Sequence, residues 1–158
     1  MHEPITQAVS PASLALGFTS ELSFPEFGNI AGIAEAHMPT MYGEIEKAGL
    51  KPTGPEFYLY AFRDNPTDPD KKETGRLTLT LAIPIDERFQ PQAPYAVVDM
   101  PEFKFMSLHT ESFADWETLR TAVDARGRKR TLIEREVYWN WVGMGAPGND
   151  LELQVGIL

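Results

Sequence analysis

The fold is decided by two aromatic-rich stretches, FYLYAF at residues 57–62 and VYWNWV at residues 137–142. Each is followed, after a loop rich in turn-forming residues, by a stretch with apolar residues at alternate positions: LTLTLAI at 77–83 and LELQVGI at 151–157. Aromatic and β-branched residues favour strands, and strict alternation indicates a strand with one buried face. The sequence therefore predicts two β-hairpins of the same form.

A helix is predicted before each hairpin. In the second half, Ser112 resembles an N-cap, and apolar residues then recur at helical spacing, which predicts a helix over about 113–126. In the first half, apolar residues between positions 30 and 45 share one helical stripe. Pro39 interrupts this stripe, so the helix either kinks there or a second helix begins with Pro39 in its first turn. Gly49 is expected to end the helical stretch.

A further strand is predicted before each helix, at residues 13–19 and 103–109. The order strand, helix, strand, strand thus occurs twice, which indicates an internal duplication. We predict a single α+β domain over residues 1–158, built of two β-α-β-β repeats at about 5–88 and 95–158. Such a duplicated unit usually pairs about a pseudo-twofold axis and leaves a concave junction, which is a natural place for a small-molecule cleft.

Composition excludes several classes of function. The 158 residues include no cysteine, so disulfides, thiolate metal sites and cysteine nucleophiles are excluded. A formal net charge of −9 disfavours direct nucleic-acid binding. The basic run at residues 126–130 follows a predicted helix end and is better explained as a solvated loop than as a nucleic-acid patch.

Targeting and cofactor signals are also lacking. Residues 1–7 do not resemble a signal peptide, and no apolar run approaches the ~18 residues of a membrane helix. We therefore expect a cytoplasmic protein that does not associate with membranes. The three histidines, His2, His37 and His109, show no metal-ligand spacing, and no phosphate loop or dinucleotide fingerprint is present. We expect no metal and no cofactor.

The alternation of the first hairpin strands separates two groups of side chains. Trp139 and Trp141 fall with Val137 on the side that we predict to be the core. The other side is predicted to lie next to the Thr and Gln positions of the neighbouring strands and to line the cleft. Its members are Glu56, Tyr58 and Tyr60 in the first hairpin and Glu136, Tyr138 and Asn140 in the second.

Two of the candidate residues also have ordinary structural explanations. From its spacing alone, Glu136 is better explained as an exposed strand residue with a salt-bridge partner such as Arg135 or Arg130. His109 could act as an acid or base in the cleft, but a lone histidine at a strand end is more often a capping or surface residue.

Several motifs, taken in their order, resemble the GyrI-like small-molecule-binding domains, also called AraC-type effector-binding domains. They are the triplet Glu136-Val137-Tyr138, the helix-opening segment 109–113, Gly54-Pro55, Ile83-Pro84-Ile85 and Val155-Gly156-Ile157. The resemblance covers nearly the whole chain and implies an antiparallel sheet with helices on one side and a ligand groove between the repeats. Where many members have a glycine two residues after the histidine of the helix-opening segment, this chain has Glu111.

The resemblance implies that Glu136, with Tyr138 beside it, sits in a groove that binds hydrophobic or cationic compounds. We therefore expect a stand-alone small-molecule-binding protein that sequesters a toxin or senses a ligand. Regulators of this family carry a helix-turn-helix segment before the domain, and the chain is too short for one before its first unit, so we expect no direct DNA binding.

Two other functions remain open at this stage. Some stand-alone relatives hydrolyse electrophilic, cyclopropanoid-type toxins, and the same groove could do so here if Glu136 orients or deprotonates a water while Tyr138 donates a proton to the leaving atom. Others act as protein inhibitors of a partner such as gyrase.

Overall fold

The computed structural model describes residues 4–158; His2 and the first three positions of the N-terminal segment 1–7 lie outside this range. The strands are β1 (Thr6–Ser10), β2 (Ser13–Ser23), β3 (Phe57–Phe62), β4 (Arg76–Ile85), β5 (Ala96–Met100), β6 (Phe103–Thr110), β7 (Arg130–Asn140) and β8 (Asp150–Ile157). The helices are α1 (Ile30–Lys47) and α2 (Trp116–Ala125), with short 3₁₀ segments at Phe24–Asn29, Pro69–Lys71 and Phe113–Asp115. Within residues 4–158, neither helix is both long and apolar enough to cross a bilayer.

All eight strands form one antiparallel sheet in the order β1-β6-β8-β7-β3-β4-β2-β5. The predicted α+β fold is confirmed, and the six predicted strands are all present. The sheet is symmetric about its central pair, β3 and β7, which joins the two halves.

The structure adds one edge strand to each predicted β-α-β-β unit, and these strands are exchanged. β1 precedes β2 in the chain but pairs with β6 of the second half, whereas β5 precedes β6 but pairs with β2 of the first half. Each half therefore completes its sheet with a strand from the other half.

The helices largely follow the predicted pattern. α1 runs without interruption through Pro39, so the alternative of a second helix beginning at Pro39 is wrong. It ends near Gly49, which has a φ of +75° and donates its N–H to the Glu46 carbonyl at 2.9 Å. In the second half, Ser112 Oγ accepts the N–H of Ala114 at 3.1 Å, and one 3₁₀ turn leads into α2.

Both helices pack on the same face of the sheet, over its outer strands. α1 covers β2 and β4, and α2 covers β6 and β8, so that two apolar cores form side by side. The opposite face carries a smaller apolar cluster, which includes Phe57, Ala82 and Val137. Between the two helices, the central strands β3 and β7 are left without a helix above them.

The pairing of β7 with β8 corrects the predicted assignment of faces. Glu136 lies opposite Leu153 and Tyr138 opposite Leu151, so both belong to the helix-covered, leucine side of the sheet rather than to the side of the Thr and Gln positions. The same holds for Tyr58, which lies opposite Leu81. Alternation within a strand separates its faces, but only the register with its neighbour shows which face is shared.

Position 156 must be a glycine because β7 bulges towards it. Arg130 pairs with Ile157 and Glu134 with Val155, so three residues of β7 lie opposite Gly156 alone. A Cβ on Gly156 would lie 2.7 Å from the Ile133 carbonyl oxygen and 2.8 Å from the Phe103 ring. The backbone of β7 thus occupies the space that a side chain would need.

We expect Gly156→Ala to lower the free energy of unfolding by about 1–3 kcal/mol, since inserting a methyl group into a filled space forces the backbone to shift. Urea denaturation followed by circular dichroism measures this loss. Gly43→Ala is the matched control, because its Cβ would meet nothing within 4 Å in α1 and should stabilise the helix. Equal stability of Gly156→Ala and the wild type would contradict the packing described above.

Candidate ligand-binding cavity

An open cavity of about 730 Å³ lies between the two helices, above the central strands. Its floor is formed by β3 and β7, and one wall by the side of α1 that carries Ala34, Met38 and Pro39. The other wall comes from the start of α2 and the segment before it. The remaining side chains of interest in the lining are Phe27, Glu35, Glu56, Tyr58, Tyr60, Phe62, Phe113, Trp116, Arg120, Glu134, Glu136, Tyr138, Trp141 and Met144.

Glu136 lies on the floor of this cavity and is 6% exposed. Its Oε1 accepts the indole N–H of Trp116 at 2.9 Å, and its Oε2 accepts the hydroxyl of Tyr138 at 2.9 Å. Burial raises the pKa of the Glu136 carboxyl, and hydrogen bonds from Trp116, Tyr60 and Tyr138 oppose that rise. The carboxylate is therefore held by neutral donors.

Neither of the arginines suggested from the sequence pairs with Glu136. Arg135 points to the opposite face, where its guanidinium lies 4.3 Å from the centre of the Phe103 ring and Nε donates to Gln154 at 2.8 Å. Arg130 bonds to Asp124 at 3.1 Å. Within residues 4–158, no ion pair is formed by Glu136, and its explanation as an exposed, salt-bridged strand residue is wrong.

The cationic side chain in the lining is already paired. Arg120 donates Nε to Oε2 of Glu134 at 2.9 Å and Nη2 to Oε1 at 2.6 Å, and Glu134 is 2% exposed. The guanidinium also lies 5.2 Å from the centre of the Trp116 ring. The two-point geometry fixes the arginine against Glu134.

Aromatic rings surround the carboxylate. The rings of Tyr58 and Tyr138 have centroids 4.5 Å apart, and Trp141 lies 5.6 Å from Tyr138 and 5.7 Å from Phe113. Burial is the main cause that raises the pKa of Tyr58 and of Tyr138, with Glu136 adding to it. Both phenols therefore stay protonated at neutral pH and act as hydrogen-bond donors and as ring surfaces.

Glu56 lies just before β3, at the side of the cavity. Its backbone carbonyl accepts the N–H of Tyr138 at 3.0 Å, and its Oε1 accepts the hydroxyl of Tyr42 from α1 at 3.0 Å. Burial raises the pKa of this carboxyl, and the hydrogen bond from Tyr42 partly offsets that rise. A second carboxylate therefore faces the same cavity.

Five of the seven residues predicted for the cleft line this cavity: Glu56, Tyr58, Tyr60, Glu136 and Tyr138. The other two do not. Asn140 is exposed and donates Nδ2 to the Gly148 carbonyl at 2.7 Å, because β7 has an irregular register between Tyr138 and Asn140. His109 lies beside Glu152 on the opposite face, with Nδ1 3.1 Å from Asp150 Oδ1.

The structure also corrects the prediction for the two tryptophans. Neither is a core residue: Trp139 is 52% exposed and Trp141 43% exposed. Trp139 donates its indole N–H to Glu152 on the opposite face at 3.0 Å, whereas Trp141 lines the cavity. Strict alternation fails where one strand gains a residue against its neighbour.

Sequence reasoning missed Trp116, Arg120 and Glu134 as cavity residues. Glu134 could have been found, since it precedes Glu136 by two positions and shares its face of the strand. Trp116 falls at helical spacing within the predicted helix 113–126, and that spacing does not show that its indole N–H reaches Glu136 on β7. Within residues 4–158, no group of three or more His, Asp or Glu side chains is arranged to hold a metal ion.

The fold has counterparts among solved structures. The C-terminal domain of EcmrR aligns with a TM-score of 0.77 at 13% identity, over 100% of this chain and 98% of that chain. SAV2435, solved bound to tetraphenylphosphonium, aligns with a TM-score of 0.67 at 12% identity, over 99% and 94%. A hydrolase encoded by lin2189 from Listeria innocua aligns with a TM-score of 0.59 at 9% identity, over 98% and 91%.

At the level of sequence, no family model and no curated protein matches the chain. The structural alignments nevertheless span nearly the whole chain. They confirm the fold that the sequence resemblance implied.

Proposed function

We propose that this chain, which has the GyrI-like effector-binding fold, binds hydrophobic organic cations in the cavity between α1 and α2. The observation that carries the proposal is Glu136, a buried carboxylate placed among aromatic rings and without a cationic partner in the part of the chain that the structure describes. An organic cation offers this carboxylate a counter-charge and offers the rings a cation–π contact.

The energetics favour a cation over a neutral or anionic guest. A buried carboxylate is costly when it is ionised, and a positive charge nearby lowers that cost. Rings of Tyr58, Tyr138 and Trp141 supply apolar area at little cost in conformational entropy, because each has few rotatable bonds. SAV2435, which shares the fold, was solved with tetraphenylphosphonium, a cation of this kind. In this role the domain sequesters a toxic cation or reports its presence to a partner.

Two ions of nearly the same shape and opposite charge test the proposal. Tetraphenylphosphonium should quench the fluorescence of Trp116 and Trp141 in a saturable titration, whereas tetraphenylborate should bind at least about tenfold more weakly, a difference of roughly 1.4 kcal/mol. Isothermal titration calorimetry gives the two affinities independently of fluorescence. Equal affinity for the two ions would show that shape and hydrophobicity, rather than Glu136, select the guest.

A second candidate function is hydrolysis of an electrophilic compound. It is favoured by the direct hydrogen bond between Glu136 and Tyr138 and by the raised pKa of Glu136, which together resemble a general base beside a proton donor. The structural likeness to the Listeria innocua hydrolase is consistent with it. Incubation with a cyclopropane electrophile, followed by mass spectrometry, separates the two functions. If the compound binds to the protein but is recovered unchanged, hydrolysis of that compound is excluded.

A further inference from the structure

The cavity contains two carboxylates that accept only neutral hydrogen-bond donors. Tyr58 pairs with Glu136 across β3 and β7, and the bond from the Tyr138 N–H to the Glu56 carbonyl places Glu56 opposite Tyr138. Glu56 and Glu136 are therefore diagonal neighbours on one face of the sheet, and the Cα atoms of diagonal neighbours lie roughly 7–8 Å apart. Tyr58 and Tyr138 occupy the other diagonal of these four residues, and their ring centroids lie 4.5 Å apart.

The charges in the lining do not balance. Among residues 4–158, four carboxylates line the cavity, those of Glu35, Glu56, Glu134 and Glu136, against the single guanidinium of Arg120. Arg120 is bonded to Glu134 through two hydrogen bonds, which leaves Glu136 and Glu56 as the partly or fully buried carboxylates without a cation. One bound positive charge neutralises one of them and leaves the other.

The two carboxylates differ in how strongly they are held. Oε1 of Glu136 accepts from Trp116 and Oε2 from Tyr138. Glu56 accepts through Oε1 from Tyr42, which is 37% exposed. Glu136 is thus the deep, fixed charge, and Glu56 is the outer charge. The neighbouring rings of Tyr58 and Tyr138 line the same cavity and offer an apolar surface to a ligand that spans the two carboxylates.

We infer that the cavity prefers elongated organic dications, with one positive centre against Glu136, the other against Glu56, and an aromatic spacer over the rings of Tyr58 and Tyr138. This inference rests on the proposed function, because it assigns the second charge of a ligand whose first charge binds Glu136. A spacer of about 7–8 Å between the positive centres matches the diagonal separation on the sheet.

The test compares benzyltrimethylammonium with 1,4-bis(trimethylammoniomethyl)benzene, which carries the same head group twice on one ring. Calorimetric titration at constant ionic strength should give at least about tenfold tighter binding for the dication, well above the roughly twofold statistical advantage of two equivalent heads. In Glu56→Gln, which keeps the carbonyl that accepts from Tyr42, the dication should lose more affinity than the monocation, so that this advantage falls to the statistical factor.

Glu35→Gln is the matched control, because Glu35 lines the same cavity but is exposed on α1, and it should leave most of the dication advantage intact. The circular dichroism melt of each variant shows that it is folded. If the monocation binds and the dication gains nothing, the inference is overturned and the proposed function stands. If neither compound binds, the proposed function is overturned together with the inference.

Discussion

Glu136→Gln should weaken the binding of tetraphenylphosphonium by about 30-fold or more. Removing one member of a desolvated charge pair costs roughly 2–5 kcal/mol, and among the described residues Glu136 is the buried carboxylate of the cavity floor that has no cationic partner. The glutamine carbonyl can still accept a hydrogen bond from Trp116 or Tyr138, so that the change removes charge and leaves the shape of the cavity nearly the same. Isothermal titration calorimetry measures the loss. An affinity within threefold of the wild type would contradict the role of Glu136.

The same substitution should make the ligand-free protein more resistant to heat at neutral pH. Burial raises the pKa of Glu136 in the folded state, so the folded state takes up a proton more readily than the unfolded state. The stability contributed by this group is therefore present at acidic pH and is lost as pH rises from the unfolded pKa of about 4.3 through the folded value. Glutamine carries no such penalty, and the difference from the wild type should disappear at acidic pH. Binding should follow the opposite trend, since cation affinity falls as Glu136 becomes protonated.

Arg120→Met should lower the free energy of unfolding by about 3–5 kcal/mol, because it leaves the Glu134 carboxylate buried without a partner. Methionine keeps much of the apolar length of the arginine side chain, so that the loss reports mainly the missing charge. Urea denaturation at pH 7 measures it. The double variant Arg120→Met with Glu134→Gln should recover most of the stability, since neither charge then remains.

A single Arg120→Met variant within about 1 kcal/mol of the wild type would show that Glu134 finds water or another donor when the arginine is removed. The double variant also tests whether ligand binding requires the Arg120–Glu134 pair. If it is folded and still binds tetraphenylphosphonium, then Arg120 and Glu134 form part of the frame of the cavity and Glu136 alone supplies the charge that the guest requires.

The repeated hairpins could be predicted because their signals are local. Alternation over 77–83 and 151–157 and the aromatic content of 57–62 depend only on neighbours in the chain. The strands at Thr6–Ser10 and Ala96–Met100 were missed because they are short, partly polar and stabilised by pairing with the other half of the chain. No local pattern shows such a partner.

The candidate site was predictable only in part, for a related reason. Spacing places Glu136 and Tyr138 on one face of a strand, because residues two positions apart point the same way in any strand. Which face carries the cavity depends on the register between β7 and β8 and on where α1 and α2 leave the sheet uncovered. Trp141 and Asn140 changed sides because one irregularity in register separates them from Tyr138.

The exchanged strands have a consequence for how a guest reaches Glu136. β1 belongs to the first half of the chain but pairs with β6 of the second, and β5 belongs to the second half but pairs with β2 of the first. The halves are therefore joined by hydrogen bonds at both edges of the sheet as well as between β3 and β7. Separating the two halves would break the backbone hydrogen bonds of three strand pairs: β1–β6, β5–β2 and β3–β7. We therefore expect a guest to enter through the open side of the cavity without separation of the halves, past exposed lining side chains such as Trp141 and Met144.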